Sequence, residues 1–238
     1  MIARRLDDDS RVHVFIDGQN LYKSTFELFG SPHCHPILIA RELADNRKLV
    51  GVTYYSGIHD PHVNPQLNAR LQRRHALMRR TRVTVVERPL RYRMQWGFRQ
   101  ADLPDPRTYQ GPPLTIEVTA HQKAREKGID VALALDLVDL ALSDQIDVAI
   151  VVSGDTDLCE VARVVHQLTR RLNRVSVEAA VWKKKRTILL SDYDYTHNME
   201  RSVFNRSVDD FDYRSEIDGD AAEEFISNCR MTAKPGCV

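Results

Sequence analysis

Cysteine is scarce and scattered: Cys34, Cys159, Cys229 and Cys237 are the only four in 238 residues, and no two form a CxxC pair. Nothing in their spacing points to a metal-binding or redox pair, and the usage suits a reducing cytoplasm. Long apolar runs are missing too. No stretch approaches the ~20 residues that a bilayer-spanning helix needs, and the opening MIARRLDDDS lacks the apolar core of a secretory signal. The expectation is a cytoplasmic protein with no membrane partner. Neither GxxxxGK[ST] nor GxGxxG occurs, so triphosphate and dinucleotide binding have no support. No Ser-His-Asp arrangement can be argued from the spacing. His33, Cys34 and His35 stand in a row between prolines, and three consecutive candidates read as a loop rather than a zinc site.

What is present has the make-up of a globular domain, with 42% hydrophobic and 28% charged residues. The net charge of +1 conceals a segregation. Positions 209–224 hold eight acidic residues against Arg214 alone. Positions 70–99 hold ten arginines against Glu87, and positions 163–186 hold eight Lys or Arg against Glu178. Clustered cations are the electrostatic footprint of a polyanion binder; solvated faces of amphipathic helices are the plainer alternative.

Apolar runs alternate with helical periodicity along most of the chain. Strands are expected at 12–16, 49–56, 82–87, 146–152 and 175–182. Helices are expected at 20–29, 37–43, 66–79, 131–142, 156–172 and 184–190. This alternation predicts an α/β fold whose mainly parallel sheet is covered on both faces. Residues 88–113 break the pattern. Rich in proline, with arginines interleaved with Tyr92, Trp96 and Phe98, they read as an inserted hairpin or flap followed by a loop. A short strand at 115–119 could pair with the flap. Beyond Arg206 the chain is polar and acidic, a mobile tail or an arm that orders on another subunit. The domain is therefore expected at 1–206 and the tail at 207–238.

Two segments carry the chemistry, VHVFIDGQN at 12–20 and VAIVVSGDTDL at 148–158. Each is a Val- and Ile-rich run that stops at Asp and Gly, the pattern of a buried parallel strand ending in a turn. Ligands bind beyond the carboxyl ends of such strands, so Asp17, Asn20, Asp155 and Asp157 are expected to meet. Clustered carboxylates repel one another unless a hard cation neutralises them, and Mg²⁺ or Mn²⁺ is the usual solution. Ser153 and Thr156 could serve there as local caps or as supporting residues. Asp130 opens the apolar helix and also suits its macrodipole. Asp136, six residues on, lies about 240° round that helix, so both cannot point at one metal. Lys127 could neutralise the site.

FIDGQNL, KGIDVALALD and VVSGDTDL, in this order and at these separations, resemble the NYN domain of the LabA-like group, within the PIN-like nuclease superfamily. The resemblance runs from about residue 12 to residue 195. It implies a Rossmann-like three-layer α/β/α sandwich and a divalent-metal ribonuclease. Its motif aspartates fall on Asp17, Asp130 and Asp155 as metal ligands, on Asp136 and Asp157 as further members, with Asn20 supporting. Cleavage would leave a 5′-phosphate and a 3′-hydroxyl. The 88–113 segment is longer than a minimal domain of this kind needs.

The expected activity is hydrolysis of single-stranded or structured RNA. An RNA-binding regulator with little turnover, a DNA nuclease and a phosphatase for small esters are the alternatives. Arg91, Tyr92, Arg93, Trp96 and Arg99 would suit single-stranded RNA, cations for phosphate and aromatic faces for bases. Lys183 and Lys184, after a strand at the same sheet edge, could bind backbone phosphate. A homodimer is a plausible assembly, because flap and tail are available for exchange.

Overall fold

The computed structural model describes residues 9–97, 108–111, 119–170, 174–183, 192–214 and 219–231. The first half of the chain forms β1 (Arg11–Asp17), α1 (Gly18–Phe29), α2 (Pro36–Ala44), β2 (Lys48–Ile58), α3 (Pro65–Arg80) and β3 (Thr84–Pro89). A ribbon follows, β4 (Arg91–Gly97) with β5 (Thr119–Arg125). Then come α4 (Ile129–Leu142), β6 (Val148–Val152), α5 (Cys159–Thr169), β7 (Ser176–Trp182), β8 (Tyr195–Met199), α6 (Arg201–Arg206) and α7 (Gly219–Met231).

Six strands make one sheet in the order β3-β2-β1-β6-β7-β8, and every pairing in it is parallel. With the ribbon set aside, this is the 3-2-1-4-5-6 order of a doubly wound fold. Alternating side chains sort into two cores. Val12, Val14, Ile16, Ile150 and Val152 pack with Leu21 of α1, Ile39 of α2 and Phe204 of α6. Phe15, Val151 and Val177 pack on the other face with Leu133 and Leu137 of α4 and Val165 of α5. Helices thus cover both sides, as the alternation of elements predicts. Each large apolar side chain buried this way contributes roughly 1.5–3 kcal/mol.

Several boundaries differ from expectation. The helix expected from 156 opens as a 3₁₀ turn, Thr156–Leu158, before α5 takes over. The ribbon's second strand is Thr119–Arg125 rather than 115–119, and residues 115–118 lie outside the described ones, as does the helix expected at 184–190. Strand β8 was not expected. It sits at the sheet edge with only Met199 buried, so it has little apolar signal.

The reading of 207–238 as a mobile tail is corrected over its described part. Ser207 accepts a hydrogen bond from the His35 backbone N–H at 2.8 Å, and Val208 bridges to Cys34. Ala222 and Ile226 of α7 then pack with Tyr213 and Leu77 of α3 in a core of their own. The chain itself supplies the partner. The Arg73 guanidinium donates to the Tyr213 carbonyl at 2.9 Å, and Arg80 pairs with Glu223. A few apolar residues at helical spacing suffice, although acidic neighbours dominate the composition.

Candidate active site at the carboxyl edge of the sheet

β1 and β6 are neighbours, and the chain winds away from them in opposite directions. Their carboxyl ends form the topological switch point where α/β sheets bind ligands. Asp17 ends β1 there and is the N-cap of α1, its Oδ1 accepting from the Asn20 backbone N–H at 3.0 Å. The next residue must be small: a Cβ on Gly18 would lie 2.5 Å from the Tyr55 carbonyl oxygen. Only glycine lets α1 start this close to β2.

The turn after β6 is tied to Asp17. The Ser153 hydroxyl donates to Asp17 Oδ2 at 3.1 Å and accepts from the Asp155 N–H at 3.1 Å. Asn20 Oδ1 accepts from the Gly154 N–H at 3.0 Å and from the Ser24 hydroxyl at 3.4 Å. Ser153 and Asn20 therefore stitch the two motifs together. Asp155 Oδ1 accepts from the Asp157 N–H at 3.0 Å. That leaves its second oxygen without a hydrogen-bond partner among the described residues.

A polar cleft of about 210 Å³ opens beside this turn, lined among others by Asp17, Asn20, Lys23, Glu126, Asp130 and Asp155. Gly128, at φ 80°, turns the chain into α4 and presents Asp130 to the cleft. Burial pushes the Asp17 carboxyl above the usual carboxylate range, opposed by its Asn20 and Ser153 donors, while the charge of Asp155 adds to the rise. Asp130 is raised by burial and then by the charges of Asp17, Asp155 and Asp157. The aspartates of three separate motifs thus share one field.

Glu126 and Lys23 are cleft residues that the sequence reading missed. Glu126 accepts from the Gly57 N–H at 2.8 Å and is raised by burial and by Asp17 and Asp130, with Lys23 pulling the other way. Lys23 lies one helical turn beyond Gln19 and Asn20, and that spacing was the available signal. Glu126 precedes the KGID motif by one position and carried none.

Other expected residues fall elsewhere. Asp136 accepts from the Tyr55 hydroxyl at 2.8 Å and does not line the cleft, as its angle on α4 predicts. Asp157 and Thr156 are exposed on the 3₁₀ turn at its rim. Lys127 is exposed and is not among the residues that line the cleft, unlike its neighbours Glu126 and Gly128. Lys183 is exposed and pairs with Glu200 at 2.9 Å; Lys184 and Arg99 lie outside the described residues. His35 caps α2, its Nδ1 accepting from the Ile37 N–H at 3.3 Å, which gives the His33–His35 loop a structural role.

The donor set is hard oxygen throughout, which suits Mg²⁺ or Mn²⁺. Among the described residues, however, no three His, Cys, Asp or Glu side chains are grouped tightly enough to hold an ion by themselves. Mg²⁺ needs no such cage, because it keeps several waters and takes one or two carboxylates directly. Mutual repulsion within the cluster is what a cation would relieve.

An open parallel sheet wound both ways from an acidic switch point defines a Rossmann-like domain with a carboxylate site. The chain belongs to the NYN domain family, a nuclease-like family whose match extends over residues 11–200. Helix α7 therefore lies beyond the matched region. Among solved structures, a Vibrio parahaemolyticus protein of unknown function, VPA0982, is similar in fold. It has a TM-score of 0.51 and 17% identity, over 82% of this chain and 96% of that one. No curated protein matches the chain. No helix among the described residues is long and apolar enough to cross a membrane.

Proposed function

We propose that this protein is a divalent-metal-dependent ribonuclease of the LabA-like kind, hydrolysing RNA phosphodiester bonds at the β1–β6 cleft. One observation carries the reading: Asp17, Asp155 and Asp130, from three distant motifs, border a single polar cleft at the switch point. Asp17, Asp130 and Asp155 would hold Mg²⁺ or Mn²⁺. The bound ion supplies a Lewis acid that lowers the pKa of water and offsets charge on the phosphate. Ser153 and Asn20 fix the Asp17 and Asp155 loops relative to one another. One of Asp155 or Asp157 would orient the attacking water as base. Lys23 is the one cation lining the cleft among the described residues, and it can neutralise a phosphate oxygen there. Products would carry a 5′-phosphate and a 3′-hydroxyl.

A 5′-labelled mixed-sequence RNA, incubated with the protein in Mg²⁺, Mn²⁺ or EDTA beside Asp155→Asn, tests this. Asparagine caps a helical turn as well as aspartate does, so the variant keeps its local fold while losing the charge. Metal-dependent cleavage that falls at least ~100-fold in the variant is expected. Equal cleavage by both proteins would assign the activity to something other than Asp155.

A second reading keeps the same polar cleft, with Asn20 and Lys23 beside the carboxylates. In it the cleft binds RNA with little turnover. Retained RNA binding without cleavage in either metal would establish that reading. A DNA strand of matched sequence, run in parallel, separates a ribonuclease from a DNA nuclease, because only RNA offers a 2′-hydroxyl.

A further inference from the structure

Sequence alone groups Arg91, Tyr92, Arg93 and Trp96 as one mixed surface, but strand geometry separates them. Successive side chains on a strand point to opposite faces, so Arg91 and Arg93 share one face of β4 while Tyr92 and Met94 share the other. The ribbon register sets Arg91 opposite Arg125 and Arg93 opposite Lys123. One face is thus a two-by-two array of cations. Tyr92 belongs to the opposite face, and its hydroxyl accepts from the Asp60 N–H at 3.1 Å and shares a hydrogen bond with His59 Nδ1 at 2.9 Å. That face is moored to the loop between β2 and α3. The cationic face is exposed at all four positions, whereas Tyr92 on the moored face is half-buried and Met94 beyond it is exposed.

We propose that this face, formed by Arg91, Arg93, Lys123 and Arg125, is a backbone track that leads single-stranded RNA to the acidic cleft. The inference rests on the ribonuclease reading and names how its substrate is held. Like charges placed directly across a ladder are destabilising, and here two such pairs follow one another. All four residues are exposed, and none has an acidic partner among the described residues. A fold keeps such an arrangement where an external anion neutralises it.

Position identifies the anion. β5 runs from Arg125 directly into Glu126, Gly128 and Asp130, all of which line the cleft. Arg91 follows Pro89, the last residue of β3, at the same edge of the sheet. The array therefore starts at the cleft and extends outward, with Arg91 and Arg93 about 7 Å apart along the strand. A cleft walled by carboxylates repels a polyanion, and an adjoining row of cations offsets that repulsion. Four cations along a ribbon match a strand of phosphates. They read no bases, so the track confers affinity without sequence preference.

The test uses the full chain and a short fluorescent single-stranded RNA in EDTA, with affinity measured between about 50 and 200 mM salt. Arg91, Arg93, Lys123 and Arg125 are changed together to Gln. A second protein carries Arg91→Lys, Arg93→Lys, Lys123→Arg and Arg125→Lys. Each phosphate contact on a single strand contributes a slope of about −0.7 in log K against log salt. The Gln variant should lose roughly 2–3 in slope, and the charge-preserving variant should keep most of it. The melting temperature of the Gln variant should hold or rise, because cross-strand repulsion is relieved. If the Gln variant unfolds, Arg93→Gln with Lys123→Gln is read in the same way at half the effect. An unchanged slope in a folded Gln variant, with RNA still bound, overturns the track and leaves the nuclease reading standing. Tighter binding of polyglutamate than of RNA of matched charge points to an acidic protein ligand and also overturns it. An intact protein that cleaves RNA without measurable binding sinks the track alone; one that neither binds nor cleaves sinks both.

Discussion

At the residue level, the cleft is a compromise between chemistry and stability. Asp17 and Asp130 both have carboxyls raised by burial and by neighbouring aspartates. A raised native pKa means the folded state holds its proton longer than the unfolded chain. Stability therefore declines as pH rises from the ordinary carboxylate range through the raised value. Above that window the repulsion is fully present. Asp130→Asn should raise the melting temperature at pH 7 by about 1–3 °C. Adding Mg²⁺ should raise the melting temperature of the unaltered protein and do less for the variant. A variant that melts lower without metal would refute this account of the cluster.

Glu178 is the opposite case. It is only 3% exposed and accepts from Arg47 at 2.8 Å and His197 at 2.6 Å. Burial by itself would raise its carboxyl, but the hydrogen bonds from His197 and Arg47 outweigh that and hold it low. The stability it contributes is present above its ordinary pKa and is lost as pH falls through the lowered value. Glu178→Gln should cost about 3 kcal/mol at neutral pH, by urea titration, and the difference should shrink in acid.

What sequence could reveal at this level was the ends of strands. Asp17 and Asp155 were legible because each lies at a turn that closes a Val- and Ile-rich run. Ser153 was named as a local cap or a supporting residue, but its bridge to Asp17 was not legible, since that depends on β1 and β6 being neighbours. Glu126 was invisible, because the residue that holds it, Gly57, belongs to a different βα unit.

Among the elements, those with strong periodicity were legible and those that lean on tertiary partners were not. The five expected strands lie in the sheet: four carry buried runs, and β3, at the edge, is exposed or half-buried along its length. Helix α7 and strand β8 escaped because their apolar residues are few. Their stability comes from particular contacts, such as Ile226 against Leu77. Ile226→Ala should destabilise the protein by about 2–4 kcal/mol, seen as a lower urea midpoint. Cleavage by the still-folded variant should be unchanged, because α7 contributes nothing to the cleft lining. The surrounding arginines explain why an acidic segment settles here: Arg73 and Arg80 of α3 bind it, and Asp209, 1% exposed, is a buried acid near the buried Arg74.

For the whole molecule, segregated charge has been partly used internally. The arginines of α3 engage the acidic C-terminal segment, whereas those of the β4–β5 ribbon stay outward. Net charge alone, at +1, could not have told these two fates apart. The split depends on which arginines find a carboxylate when the chain folds.

Placing the cleft at a switch point also governs when it can exist. Asp17 leaves the ribosome before Ser153 and Asp155, which complete its surroundings; Ser153 lies 136 residues later. Strand β1 gains its β6 neighbour only then, and such long-range parallel pairing is intrinsically slow. With synthesis at roughly 5–20 residues per second, a growing chain spends many seconds amid messenger and ribosomal RNA. During that interval it carries half of an acidic centre and no cleft.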